Sequence, residues 1–233
     1  MVTKWLHVET KVIDPWVLPI WSAVHRAVQE GRTTQPDAAA GQLALHLSTR
    51  LAMLPVIFRR LREGMGQLKT VIAGRESLHE WTTEREGYVF PIPQDLQYGL
   101  LLDLDALLFE LNSCCELLRK FFALLHQHAG QHIPEAQLGQ KLRRIIEAAG
   151  QDPGWFTRLD THRNFFMHNG APYFAVDLSN APERYDLFIM KENLRVFEEE
   201  TKFVRLSELE DIVEGFAHSK RVLQEYLIRL FSA

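Results

Sequence analysis

Arg163, Asn164 and His168 lie close together in the chain and combine side chains suited to chemistry on a phosphate group. An arginine guanidinium is a planar fork of donors that matches phosphate oxygens. A histidine exchanges protons near neutral pH, because its unperturbed pKa is about 6.5. Cleavage of a phosphodiester by a neighbouring hydroxyl needs a base, an acid and a cation. We therefore take these three residues, called the motif below, as the candidate catalytic group.

The motif falls in a segment that predicts a helix, starting at Asp152-Pro153 and stopping at Asn169-Gly170. On an ideal helix, Asp160, Asn164 and His168 lie within roughly 80° of one another and form one polar stripe. This spacing lets the Asn164 amide hydrogen-bond the His168 imidazole. Asp160, one turn earlier, is placed to steady Asn164 or an arginine.

Arg163 does not share the face of the polar stripe, since it lies roughly 140° from His168 on an ideal helix. Three arrangements would bring the two side chains together. The arginine curls around the helix, the helix is distorted, or two such helices from two subunits build one site. The alternative is that these residues have a structural role only. Arg163 would then pair with a carboxylate such as Asp160, and His168 would be an ordinary residue at the helix end.

The rest of the chain predicts a mainly α-helical bundle with a small antiparallel sheet inserted before the last helix. The strongest periodicity, with apolar residues every three or four positions, runs through 100–125 and predicts one long core helix. Helices are predicted at 16–30, 37–62, 69–81, 95–130, 134–150, 152–170 and 207–231. Strands are predicted at 4–13, 173–178 and 185–190, with further candidates at 195–197 and 202–205.

This order of elements predicts a single domain over residues 1–233. It comprises an N-terminal strand and short helix (1–36), a bundle core that contains the motif (37–170), a β-hairpin insert (171–206) and a C-terminal helix (207–231).

Composition limits the class of protein. Hydrophobic residues make up 46% of the chain and charged residues 24%, as expected for a globular protein with a sizeable core. The net charge of −4 argues against a protein that coats nucleic acid by bulk positive charge. The adjacent Cys114 and Cys115 favour a reducing compartment. With no leader-like start and no long apolar run, we expect a cytoplasmic protein that does not enter membranes.

The arginine, the asparagine after it and the histidine near the helix end resemble the motif of HEPN-family ribonucleases. The segment Gly170-Ala171-Pro172-Tyr173-Phe174 also resembles a HEPN subgroup with a strand pair after the motif helix. The resemblance covers about residues 37–231 and implies a helical bundle that cleaves RNA without a metal or other cofactor. It implies that Arg163 stabilises the phosphorane, Asn164 orients the site and His168 transfers protons. It further implies a homodimer whose motifs face each other.

The region around the motif is locally basic. Between residues 137 and 170 there are five basic side chains (Lys141, Arg143, Arg144, Arg158 and Arg163) against three acidic ones (Glu147, Asp152 and Asp160). The first four basic residues are our candidates for contacts with RNA phosphates. The alternative for each of them is an ordinary solvated helix face.

Other functions stay open. The resemblance allows a toxin or defence protein held in check by an antitoxin partner, such as a small nucleotidyltransferase. It also allows a non-catalytic HEPN-like bundle that binds a partner protein or a nucleotide. His126, His128 and His132 cluster at the end of the long helix, but no cysteine or paired carboxylate completes a site. We therefore predict no metal site.

Overall fold

The computed structural model describes residue 4 and residues 15–74, 91–170, 173–178, 185–192 and 197–232. Six α-helices and three strands follow one another in this part of the chain. They are α1 (Val17–Gln29), α2 (Ala38–Ala73), α3 (Gln94–His128), α4 (Glu135–Ala148), α5 (Gly154–Asn169), β1 (Phe174–Asp177), β2 (Asp186–Met190), β3 (Phe203–Arg205) and α6 (Leu206–Leu230). The prediction of a mainly helical protein with a small antiparallel sheet before the last helix is confirmed.

The long helices α2 and α3 pack against each other and supply much of the core. Every position of the predicted α3 stripe is buried: Leu100, Leu104, Leu107, Leu111, Cys114, Leu118, Phe121 and Leu125. An ion pair of 2.8 Å between Arg60 Nη2 and Asp103 Oδ1 joins the two helices at their edge, and Arg50 pairs with Glu110 further along. The 3.6-residue periodicity therefore identified the face that α3 buries.

Helix α2 corrects the prediction of separate helices at 37–62 and 69–81. It continues unbroken to Ala73, and the part of the second segment beyond Gly74 lies outside the described residues. Gly64 and Gly66 lie inside this helix, where each glycine costs about 1 kcal/mol relative to alanine. Burial of Met65 and Leu68 against the core outweighs that cost. Gly64 also lets α3 approach, because a Cβ there would lie 2.8 Å from Leu100 Cδ2.

The predicted start of α5 was wrong by one residue. The helix begins at Gly154, whose N–H donates to Asp152 Oδ1 over 2.8 Å. Helix α6 follows directly from β3, so Ser207 lies inside the helix. At the end of α4, Ala149 follows the last helical residue and is exposed.

The three strands form one antiparallel sheet in the order β1-β2-β3, with Phe174 opposite Ile189 and Phe188 opposite Arg205. Strands at 173–178 and 185–190 are thus confirmed, and the candidate at 202–205 forms β3. The predicted strand at 4–13 lies outside the described residues except for Lys4, as do residues 195–196.

Helix α6 packs against α1, α3, α4 and α5. Trp16, just before α1, donates from Nε1 to the Lys220 carbonyl over 2.7 Å, and Gln224 Nε2 donates back to the Trp16 carbonyl over 2.6 Å. On another side, α6 packs against α5, the helix that carries the motif. The position of the motif therefore depends on the α5–α6 contact.

Candidate functional site

Helix α5 is anchored to α6 through its buried face. Trp155, Leu159, His162 and Phe166 are its buried residues. The Trp155 indole donates to Ser219 Oγ over 2.9 Å, so its polar atom is satisfied in the interior. Because this face fixes the rotation of α5, Phe156 and Phe165 also pack against the core, whereas the side chains of the polar stripe face solvent.

The polar stripe of Asp160, Asn164 and His168 is exposed along its whole length, while Arg163 is partly buried. Within the described residues, no hydrogen bond joins any two members of the stripe. The predicted link from Asn164 to His168 is therefore not made in this structure. His168 lies in the last turn of α5.

Arg163 reaches the polar stripe through its side chain. Its Nη1 donates to Asn164 Oδ1 over 2.8 Å, which brings the guanidinium around the helix toward the face of His168. Its Nε is buried and has no hydrogen-bond partner in the part of the chain that the structure describes. Nor does Arg163 form an ion pair there with Asp160, the carboxylate of the structural interpretation. One nitrogen of the guanidinium group, Nη1, thus donates a hydrogen bond, while a second, Nε, is buried without a described acceptor.

A histidine that the sequence analysis did not single out lies directly before the motif. His162 is buried, and its Nε2 lies 3.0 Å from Glu208 Oε1 in the first turn of α6. The hydrogen bond with His162 holds the pKa of Glu208 below its usual range, against the opposing effect of burial. The positive charges of Arg158 and Lys191 lower that pKa further. The sequence did hold a signal that His162 is buried. His162 follows the apolar Leu159 by three residues, and residues three apart share a helix face.

Lys191 connects the end of the sheet to the motif helix. Its Nζ lies 5.6 Å from the centre of the Phe165 ring and donates to the Thr201 carbonyl over 3.0 Å. Burial lowers the pKa of Lys191, while the nearby Glu208 acts in the opposite direction. Lys191 is therefore a cation near the motif that the sequence analysis did not find.

The four residues predicted to hold RNA do not form one surface. Lys141 and Arg144 line a groove between α4 and α6. Arg143 lies on another side of α4, where its Nη2 is 3.3 Å from Thr157 Oγ1 of α5. Arg158 lies on α5 close enough to Glu208 to lower the pKa of that carboxyl. Neighbours in the sequence are thus divided between two sides of α4.

The three histidines at the end of α3 also lie apart, because His126 is in the core while His128 and His132 line two different surface grooves. His126 is fully buried, with Nδ1 at 3.0 Å from Gln131 Oε1, and its ring stacks on Tyr226. Burial, and then the charge of Lys141, lower the pKa of His126. Among the described residues, no three histidine, cysteine or carboxylate side chains come together as metal ligands would. His126 instead serves as packing beneath Tyr226.

No protein-family model, curated protein or solved structure matches this chain. The geometry of α5 and of its surroundings is therefore the basis for a functional proposal. Across the described ranges, every helix lacks the long apolar stretch that a bilayer crossing requires.

Proposed function

We propose that the protein is a metal-independent endoribonuclease of HEPN type that acts as a homodimer. The observation that carries the proposal is the hydrogen bond from Arg163 to Asn164. It brings a guanidinium to the exposed face that also presents His168. Phosphate contact and proton transfer need an arginine and a histidine on one accessible surface.

In the proposed reaction, a base removes the proton of an RNA 2′-hydroxyl, and the 2′-oxygen attacks the adjacent phosphorus. The bond from phosphorus to the 5′-oxygen breaks, and an acid protonates the departing oxygen. The products are a 2′,3′-cyclic phosphate and a 5′-hydroxyl. His168 transfers protons, the Arg163 guanidinium stabilises the charge on the phosphorane, and Asn164 orients Arg163. Asp160 lies on the same exposed face, one turn before Asn164.

A second subunit would complete this chemistry. One imidazole cannot be both the base and the acid of a single concerted step, since it would have to be neutral and protonated at once. Two motifs that face each other would supply two histidines and two arginines around one scissile phosphate. This need for a second histidine is the chemical reason for proposing a homodimer.

The exposed Met167 favours a second candidate, a non-catalytic bundle that binds a partner through this face. Its side chain is 52% exposed beside His168. A flexible apolar side chain on a polar surface is typical of adaptable protein contacts. The same observation fits a toxin whose motif is covered by an antitoxin such as a small nucleotidyltransferase.

The test compares wild type with Arg163→Ala and His168→Ala on single-stranded RNA in the presence of EDTA. We expect His168→Ala to lower the cleavage rate by about 10²- to 10⁴-fold, the range for loss of one acid–base group. Arg163→Ala should lower it by about 10²- to 10³-fold, the range for loss of one group that stabilises transition-state charge. His46→Ala and Arg59→Ala on α2 are matched controls, because both side chains are exposed and remote from α5 in the chain. Equal cleavage by wild type and both motif variants would refute the assignment.

Dimer action is tested by mixing. An excess of His168→Ala protein should lower the activity of a fixed amount of wild type, because mixed dimers carry one defective motif. Activity that is unchanged by the added variant would contradict a site shared between subunits. The same titration with the His46→Ala variant should add activity instead.

A further inference from the structure

A groove lies between α4 and the C-terminal part of α6, at the residues that join α3 to α4. Its volume is about 820 Å³, which is larger than a single inorganic anion needs. Three permanent cations line it, Lys141 and Arg144 from α4 and Arg229 from α6, against one carboxylate, Glu225. No residue that the structure describes forms an ion pair with any of these three cations. No described carboxylate therefore lies within 4.0 Å of the charged nitrogens of these three side chains.

The wall of the same groove is apolar and aromatic. Ile145, Val222 and Tyr226 line it. The Tyr226 ring stacks on Phe122 at 5.6 Å between ring centres and on His126 at 5.7 Å. Because the buried His126 is itself held by a hydrogen bond to Gln131, Tyr226 has a rigid support. Burial also raises the pKa of Tyr226, so its phenol is neutral at physiological pH.

We infer that this groove binds a segment of single-stranded RNA. Lys141, Arg144 and Arg229 contact the phosphates, and a base packs against Tyr226. Cations along a groove together with an aromatic side chain are what single-stranded nucleic acids require, because each nucleotide brings one charge and one flat apolar ring. A peptide made of acidic residues alone would use the cations but leave the aromatic wall without a partner. The inference deepens the proposed function, on which it rests for the choice of RNA.

The groove is separate from the motif. Arg143 shows this, since it is next to Arg144 in the chain yet bonds to Thr157 of α5. The groove therefore acts as an anchor for a part of the substrate away from the cleaved bond. Binding energy from remote parts of a substrate lowers KM, and it raises the rate of the chemical step only when it helps to position the reacting groups.

Binding is measured by fluorescence anisotropy with a labelled twelve-residue poly(U), in EDTA, on the His168→Ala background so that the probe is not cut. We expect the triple substitution Lys141→Gln, Arg144→Gln and Arg229→Gln to weaken binding by at least tenfold. The slope of log affinity against log salt should become shallower by about 2, because each lost contact with a single strand contributes about 0.7. Tyr226→Leu should weaken binding by about tenfold with an unchanged salt slope.

A control of matched charge separates a groove from general electrostatics. The triple substitution Arg26→Gln, Arg59→Gln and Lys69→Gln changes net charge by the same amount at exposed positions of α1 and α2. We expect it to leave the affinity within twofold. The groove is refuted if this control weakens binding as much as the triple substitution in the groove, or if poly-glutamate competes as well as poly(U).

The two proposals fail in different ways. If wild type cleaves RNA but the groove variants bind poly(U) normally, the groove is wrong and the ribonuclease stands. If wild type leaves RNA intact in EDTA while the groove variants lose binding, the ribonuclease is wrong and the groove stands. Thermal melting of each variant confirms that the fold is retained.

Discussion

Helix α5 carries two histidines, one buried and one exposed. His162 faces inward, is buried, and lies 3.0 Å from the Glu208 carboxylate of α6. His168 faces outward in the last turn, is exposed, and makes no hydrogen bond to any residue in the described ranges. The residue type is the same, and the two positions lie less than two helical turns apart.

The contrast teaches that burial and partners, and not residue type, separate the two roles. A buried polar group is costly unless it is hydrogen-bonded, so the pair of His162 and Glu208 belongs to the contact that orients α5. An exposed histidine has no such obligation and stays available for a ligand. Substitutions on the inner face should therefore change stability, and those on the outer face should change activity.

The largest expected effect is at the inner anchor. Trp155→Ala removes a buried indole and leaves Ser219 without its donor. We expect the free energy of unfolding to fall by about 3–5 kcal/mol, the range for large aromatic residues in cores. Urea unfolding followed by circular dichroism measures this. Met167→Ala on the outer face should change stability by less than about 0.5 kcal/mol. Similar losses from both would break the comparison.

The close approach of α6 to α5 is tested next. A Cβ at Gly215 would lie 2.6 Å from Trp155 Cγ, so Gly215→Ala forces the two helices apart. The expected loss is about 1–3 kcal/mol, as for overpacked cores. Gly139 in α4 is the matched control, because a Cβ there would meet no described atom within 4 Å. Gly139→Ala should raise stability by about 0.5–1 kcal/mol. A neutral Gly215→Ala would show that the contact is loose.

Substitution of the two histidines should give a change in stability of intermediate size at one position and almost none at the other. His162→Ala deprives Glu208 of its partner and should lower stability by about 1–2 kcal/mol. His168→Ala should alter stability by less than about 0.5 kcal/mol, while it lowers the cleavage rate by about 10²- to 10⁴-fold. Stability and RNA cleavage measured on the same preparations test both halves. If His162→Ala were neutral and His168→Ala destabilising, the assignment of inner and outer roles would be reversed.

The smallest expected effect is a change in pH dependence. The pKa of Glu208 is lowered in the folded protein, from an ordinary value of 4.5. Its contribution to stability is therefore complete above pH 4.5 and is lost as pH falls through the lowered folded pKa. Stability of Glu208→Gln should fall less steeply than that of wild type between pH 5 and about pH 3. Glu214→Gln, whose side chain is 70% exposed, should keep the wild-type slope.

Local patterns in the chain predicted much of the fold and only part of the site. The α3 stripe and the two main strands followed from periodicity, because burial of one face repeats at fixed intervals along a helix or strand. The full length of α2 did not follow from periodicity. Glycines in its middle lower the helix propensity, and burial of Met65 and Leu68 in the core, which outweighs that cost, is visible only in the folded protein. The motif was found from residue types, whereas Glu208, which supports its helix, is distant in sequence.

By itself, the sequence determined that Arg163, Asn164 and His168 share a helix end and that Lys141, Arg143 and Arg144 are basic neighbours. Helical geometry at short range requires no more than residue order. Only the tertiary structure decided which histidine of α5 is buried and which cations face Arg229 across the groove. Those outcomes depend on how α4 and α5 meet α6, and contacts between distant segments arise from packing of the whole core.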